Sequence, residues 1–373
     1  MIRVLHINAQ SRIFGGVSAF CLNIYRNIDR SRVQFDFLTP NITTYGEFRD
    51  EIEGYGGHLY DLGINSSNTI GKIKLMRALK GFLKEHRYDI ITVNSGVLSF
   101  NCAVASACRR YSDAVIFVHS HSNGGRSSAK ETFSEPLKRY LVKQADQLLA
   151  CSDSAARYMF PDSRIKDTVV INNGIIVDNF RYDPGVRERL RRDLGLSDKF
   201  VIGHVGRFTR EKNHGFLIEV LKSALAINDR AVLMLVGEGP LLDDAKKKAK
   251  ELGVEERVMF LGSRSDVRDL YQVMDVFALP SLFEGFGIVN IEAQTSGLKC
   301  VTSTAVPAAV DVTGNVSRLS LDAPKDEWAR ELLSVPELRR NYSDVIKEKG
   351  FDMALSAEKL EKMYEQCMRR TGK

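Results

Sequence analysis

The sequence predicts an α/β fold of two doubly wound, parallel-sheet domains, one after the other. Three observations carry that reading. The chain is 373 residues long, more than a single hydrophobic core ordinarily serves. Short β-branched apolar runs alternate with stretches of helical periodicity along its whole length. The alternation also restarts near Val201, after a break at Asn172-Asn173-Gly174, so one βαβ series follows another. The expected domains are residues 1–175 and 176–355, with a closing helix of about 356–373 free to return to the first.

Val4-Leu5-His6-Ile7 reads as the first strand, followed by Gly15-Gly16 and a helix from about Val17 to Asn27. Phe35 to Leu38, Ile90 to Val93, Ala114 to Val118, Gln147 to Ala150 and Val169 to Ile171 supply further strands. They are apolar throughout, as parallel strands covered on both faces must be. Segment 70–87 reads as an amphipathic helix: at about 100° per residue, Leu75, Met76, Leu79, Phe82 and Leu83 share one face and Arg77, Lys80, Lys84 and Arg87 the neighbouring one. The charged segment Arg187 to Lys199 reads as a lead-in to the second series. There Val201 to Gly206, Val232 to Val236, Val258 to Leu261, Val276 to Leu279 and Cys300 to Thr302 are strands, with helices near 213–227, 240–252 and 266–274. A last helix starts near Gly287 and stops at Gly297, where a C-terminal glycine belongs.

Apolar residues make up 44% of the chain and charged residues 27%, which indicates a globular protein. No stretch reaches the roughly 18 uninterrupted apolar residues of a membrane span, and the N-terminal run is too short for a signal peptide. A cytoplasmic location is therefore expected. Six scattered cysteines without a Cys-x-x-Cys pair fit reduced thiols. The net charge of +6 resides entirely in residues 1–175, with 22 Lys and Arg against 16 Asp and Glu, whereas the remainder has 31 of each. That asymmetry favours an acidic partner or surface for the first half, and the basic face of segment 70–87 suggests peripheral contact with an anionic membrane. No nucleic acid is expected. Neither Gly-x-Gly-x-x-Gly nor Gly-x-x-x-x-Gly-Lys-Ser/Thr occurs, which disfavours nicotinamide and flavin enzymes and removes the ordinary P-loop ATPase.

Ligands of such sheets bind beyond the carboxyl ends of strands, and four places there could carry chemistry. In Glu284-Gly285-Phe286-Gly287-Ile288-Val289-Asn290-Ile291-Glu292, amide groups at a helix start suit an anion and two carboxylates suit hydroxyl groups. Together they fit a polyol that carries phosphate. Arg207 and Lys212 offer one forked and one point-like cation for a diphosphate. His119 and His121 alternate at a strand end; without a third ligand, hydrogen bonding or proton transfer fits them better than a metal. The fourth place, Ser11 to Ser18, holds the double glycine of a phosphate-approach loop.

Taken in chain order, these places resemble the family-4 glycosyltransferases. The likeness is carried by Gly15-Gly16, His119-Ser120-His121, Asn173-Gly174-Ile175, Gly206-Arg207-Phe208 through Lys212-Asn213, Val236-Gly237-Glu238-Gly239-Pro240, Phe260-Leu261-Gly262, and Pro280-Ser281 with Glu284 and Glu292. The resemblance implies the GT-B fold, two facing Rossmann-like domains with the active site in the cleft between them. It implies that Glu292 holds ribose hydroxyls, Glu284 those of the donor sugar, and Arg207 with Lys212 the diphosphate. Amides around Phe286, Gly287 and Ile288 and the loop at Gly16 would complete the cradle, with the base near Gly262, Ser263 and Arg264. His119 matches the family's histidine at the sugar, and His121 competes for that role.

The implied activity is retaining transfer of a hexosyl or N-acetylhexosaminyl group, without a metal, from a UDP-linked nucleotide-sugar to a saccharide or lipid-linked saccharide. Glu292-Ala293-Gln294, Leu319 to Asp322 and Glu327-Trp328 look like the capsule and exopolysaccharide branch. One departure bears on the donor sugar: Pro307 precedes Ala308-Ala309, where relatives commonly have an acidic position. Two rival readings share the cradle, a GT-B-fold nucleotide-sugar epimerase and a non-catalytic nucleotide-sugar-binding subunit.

Overall fold

Every strand that the sequence predicts lies in one of two parallel sheets. The computed structural model of the protein describes residues 1–8, 16–40, 48–65, 69–122, 134–336 and 338–372. Among them, Met1–Asn173 with Met353–Lys373 form one compact unit and Gly174–Asp352 the other. The first unit contains β1 (Ile2–Asn8), β2 (Val33–Thr39), β3 (Leu59–Asp61), β4 (Ile90–Ser95), β5 (Val115–Ser120), β6 (Gln147–Ala150) and β7 (Val169–Val170). The second contains β8 (Phe200–Val205), β9 (Ala231–Val236), β10 (Val258–Phe260), β11 (Val276–Leu279), β12 (Lys299–Ser303) and β13 (Val316–Leu319). The strand orders are β3-β2-β1-β4-β5-β6-β7 and β10-β9-β8-β11-β12-β13. Each order reverses at a switch point, between β1 and β4 and between β8 and β11, and such points are where doubly wound sheets receive ligands.

Core residues alternate between the two faces of each sheet. In β9, Leu233 and Leu235 join the cluster around Trp328, while Val232, Met234 and Val236 join the one around Tyr271. In the first unit Leu75, Leu79, Phe82 and Leu83 of the helix Thr69–Glu85 are buried, while Arg77, Lys80 and Lys84, with Arg87 just beyond, are exposed. The closing helix, Met353–Thr371, sets Tyr364 edge-on to Phe117 and Phe35, and Arg32 forms ion pairs with its Glu361 and Glu365. No helix among the described residues is long and apolar enough to cross a membrane.

The charged segment at 187–199 is not a simple lead-in. Asp183 caps a helix, Pro184–Asp193, accepting hydrogen bonds from the amides of Gly185 and Val186 at 2.8 and 3.0 Å. From it Arg187 Nη1 donates to the carbonyls of Gln272, Val273 and Met274 at 2.9, 3.1 and 2.8 Å, satisfying the end of the helix Val267–Val273. Both Arg187 and the buried Arg191 form ion pairs with Asp275, which also accepts from the Val201 amide at 2.7 Å. Charges that look solvent-directed in sequence thus fasten this helix to the second sheet.

Candidate functional site

In the second unit, three turns meet beyond the sheet. The Gly206 amide donates to the Val236 carbonyl at 2.9 Å and the Gly237 amide to the Gly262 carbonyl at 2.8 Å, joining the turns after β8, β9 and β10. Gly237 has φ +137°, and a side chain there would collide with the Gly206 carbonyl. Arg207 projects from the first of these turns, exposed; its carbonyl accepts from the Thr209 amide at 2.7 Å, while its guanidinium has no hydrogen bond or ion pair among the described residues.

Asn213 then takes a left-handed conformation, φ 56°, and its Nδ2 donates to the Pro280 carbonyl at 3.3 Å. The Leu282 amide donates to the Glu211 carbonyl at 2.8 Å, so the turn after β8 is fastened to the turn after β11. As a result Lys212 Nζ lies 2.5 Å from Glu284 Oε2, which also accepts from Ser281 Oγ at 3.2 Å. Both members of the pair are mostly buried, with side chains 20% and 14% exposed, so solvent screens it less than it would a surface pair. The resemblance implies separate tasks for Lys212 and Glu284; the fold brings them into one ion pair.

Gly287, with φ +80°, precedes the helix Ile288–Thr295. A Cβ at Gly287 would sit 3.0 Å from Glu284 Cγ and 3.1 Å from Asn290 Nδ2, so both conformation and space require glycine. Glu292 lies one turn inside this helix, half-buried, and its Oε2 accepts from the Tyr271 hydroxyl at 2.7 Å. Burial raises the pKa of Glu292, and the Tyr271 hydrogen bond opposes that shift. Tyr271 is a residue that the sequence does not flag, since its ring fills an ordinary apolar position and only its hydroxyl reaches the site.

Phe286 stacks on Phe351 with ring centres 5.4 Å apart, which fixes the loop before Gly287. Gly262 has φ +67°, the Ser263 amide lies 3.4 Å from Glu238 Oε1, and the exposed Arg264 is bound by both oxygens of Asp266 at 2.8 and 2.6 Å. Arg264 is therefore already paired at the position assigned to the base. Ala308 and Ala309 are exposed in a short helical turn, Ala308–Val310.

His119 and His121 belong to the first unit. His119 is the penultimate residue of β5, beside Asn94 of β4 in the sheet register. Asn94 links two other rings: its Nδ2 is 3.2 Å from His6 Nδ1 and its Oδ1 3.4 Å from His121 Nε2. The His119 and His121 rings are 4.0 Å apart, and Phe20 meets them edge-on at 4.9 and 5.2 Å. Burial lowers the pKa of His6 and of His121 to about 3, and that of His119 well below its ordinary value. At neutral pH all three are uncharged, suited to hydrogen bonding rather than to balancing negative charge. His119 Nε2 is buried with no partner among the described residues. Gly16 is the first residue of the helix Gly16–Asn27, while residues 11–15 of its loop and Asn123 lie outside the described residues. Among the described residues no group of three or more His, Cys, Asp and Glu is arranged to hold a metal ion.

Residues 14–179 match the family model described as Glycosyltransferase Family 4, and residues 186–359 the model described as Glycosyl transferases group 1. EpsF of Bacillus subtilis (strain 168), which carries a glycosyltransferase name, is 32% identical over 358 residues, 93% of this chain and 91% of its own. An Escherichia coli protein named UDP-Gal:alpha-D-GlcNAc-diphosphoundecaprenol alpha-1,3-galactosyltransferase is 27% identical over 244 residues, covering 63% of each chain. Among solved structures, HepE of Anabaena in complex with UDP is similar with a TM-score of 0.70 and 21% identity over 99% of both chains. The lipopolysaccharide outer core galactosyltransferase WaaB is similar with a TM-score of 0.68 and 18% identity, over 98% of this chain and 100% of its own. With two adjoining family models and a relative matched along nearly its whole length, the chain belongs to the family-4 glycosyltransferases and has the GT-B fold.

Proposed function

We propose that the protein transfers a hexosyl or N-acetylhexosaminyl group from a UDP-linked sugar to a saccharide or lipid-linked saccharide acceptor, with retention at the anomeric carbon, in surface-polysaccharide biosynthesis. The observation that carries this reading is the Lys212–Glu284 ion pair at the switch point, with the Arg207 side chain unpaired among the described residues after β8 and Glu292 one helical turn beyond Gly287. HepE, crystallised with UDP and with UDP-glucose, supports a UDP-linked donor, and the name of the Escherichia coli relative supports a diphosphate-linked lipid acceptor.

In this reading Arg207, Lys212 and the amides at the start of the helix Ile288–Thr295 stabilise the negative charge that develops on the leaving diphosphate, without a metal ion. Glu292 accepts the ribose hydroxyls. Glu284, held by Lys212 and Ser281, accepts those of the sugar rather than attacking its anomeric carbon. A donor screen by mass spectrometry tests the proposal: a glycosylated acceptor should form from a UDP-sugar in the presence of chelator. Interconversion of the donor without an acceptor, or turnover that needs added manganese, would contradict it.

Neutral His119 contacts the donor sugar. Its Ala variant is expected to lose turnover while still binding UDP, and the His121→Ala variant to be milder. Steady-state rates together with UDP titrations check this, and the reverse order would move the role to His121.

The protein works in the cytoplasm, attached reversibly to anionic leaflets through the exposed Arg77, Lys80, Lys84 and Arg87. Lys72 and Lys74 extend that surface, and Ile70 and Ile73 are 67% and 51% exposed beside them. Each cation near the surface contributes about 1 kcal/mol before screening. Co-sedimentation with vesicles is expected to need anionic lipid, to weaken in high salt and to fall when the four residues become Gln. Equal binding to neutral vesicles, or none at low salt, would remove the membrane from the account.

A further inference from the structure

We propose that Tyr271 is a positioning residue for nucleotide recognition: its hydroxyl holds one oxygen of Glu292 and so presents the other to the ribose. The inference rests on the reading of Glu292 as the ribose acceptor.

A glutamate side chain turns about three bonds, and a vicinal diol is gripped well only by a carboxylate fixed in one orientation. Glu284 is fixed by a lysine. Glu292 has no ion pair among the described residues; its contact is the neutral Tyr271 hydroxyl, 2.7 Å from Oε2, and Oε1 takes no hydrogen bond from those residues. A neutral donor anchors the carboxylate through Oε2 without cancelling its charge, so the lone pairs of Oε1 remain for the hydroxyl groups.

The anchor is itself immobile. Tyr271 is fully buried, with Phe180 and Phe277 at ring-centre distances of 5.9 and 5.7 Å. Arg339 Nη1 donates to the carbonyls of Tyr271 and Ser296 at 3.3 and 3.4 Å, joining the helix Val267–Val273 to the end of the helix that carries Glu292. Burial of Glu292 favours its protonated form, which would offer the ribose a donor in place of an acceptor. The Tyr271 hydrogen bond favours the charged form.

Calorimetric titration with UDP and with 2′,3′-dideoxyuridine diphosphate separates an effect on ribose recognition from a general loss of structure. Tyr271→Phe keeps the ring in its place, and unfolding curves check that the fold survives. The variant is expected to bind UDP about tenfold more weakly, the size of one net hydrogen bond, and the dideoxy nucleotide almost as the wild type does. It should add little further loss in the Glu292→Ala background, since the two residues act as a unit. Tyr271→4-aminophenylalanine, which restores a donor at the para position, should recover the preference for UDP. An equal loss for both nucleotides, or no loss for either, would overturn the proposal and leave Tyr271 a core residue. Wild-type protein that binds both nucleotides equally, or a Glu292→Ala variant with unchanged UDP affinity, would instead overturn the reading of Glu292 itself.

Discussion

Replacing Arg207, Lys212 or Glu292 by Ala is expected to weaken UDP binding in every case, and most strongly at the two cations. A charge-assisted hydrogen bond to phosphate contributes about 2 kcal/mol, so each cation variant is expected to bind roughly 30-fold more weakly. The two differ in their further consequences. The Arg207 side chain is exposed and unpaired among the described residues, so its loss should remove only the proposed contact to the diphosphate and leave its neighbours in place. Lys212 is the cation of a mostly buried pair, and its loss strands the Glu284 carboxylate beside Ser281. Lys212→Ala is therefore expected to lose turnover beyond its loss of affinity, because Glu284 would no longer be held where it is proposed to meet the sugar. Titration calorimetry followed by single-turnover rates checks both statements. Wild-type affinity in all three variants would remove the site from these residues.

The largest expected loss of stability is at Asp275. Its carboxylate accepts from the Val201 amide at 2.7 Å and from Arg191 at 3.0 Å, and also pairs with Arg187. Asp275→Ala leaves the buried Arg191 without its counter-ion and the start of β8 without an acceptor. Breaking one side of a buried pair costs about 3–5 kcal/mol. For a unit of this size that lowers the unfolding midpoint by roughly 10 °C. Calorimetric scanning reads it directly. A fall of only a degree or two would mean that the guanidinium contacts to the carbonyls of Gln272, Val273 and Met274 hold the helix without help.

The strands are legible in the sequence for a physical reason: β4, β5, β9 and β11 are buried at every position, so each reads as a run without alternation. The exceptions follow the same logic. β3 and β13 are short edge strands, and Val316-Ser317-Arg318-Leu319 has the polarity of a loop because it is covered less. The segment at 187–199 misleads because an arginine directed at carbonyls and an arginine directed at water look alike in sequence.

The candidate site divides similarly. The helix start near Gly287 and the two glutamates are local features, and they are readable. The pairing of Lys212 with Glu284 spans 72 positions and depends on the left-handed Asn213, whose conformation no neighbouring residue announces. The contact between Tyr271 and Glu292 depends on two helices lying side by side, and the linkage of His6, Asn94 and His121 on the register of β1, β4 and β5. Such contacts arise from packing, where spacing along the chain carries no information.

A crystal of the protein soaked with a UDP-sugar tests the central claim most directly. The ribose hydroxyls are expected at Glu292, the diphosphate at Arg207 and Lys212 beside the start of the helix Ile288–Thr295, and the sugar hydroxyls at Glu284. A nucleotide bound with its diphosphate away from Arg207 and Lys212, or its ribose away from Glu292, would contradict it.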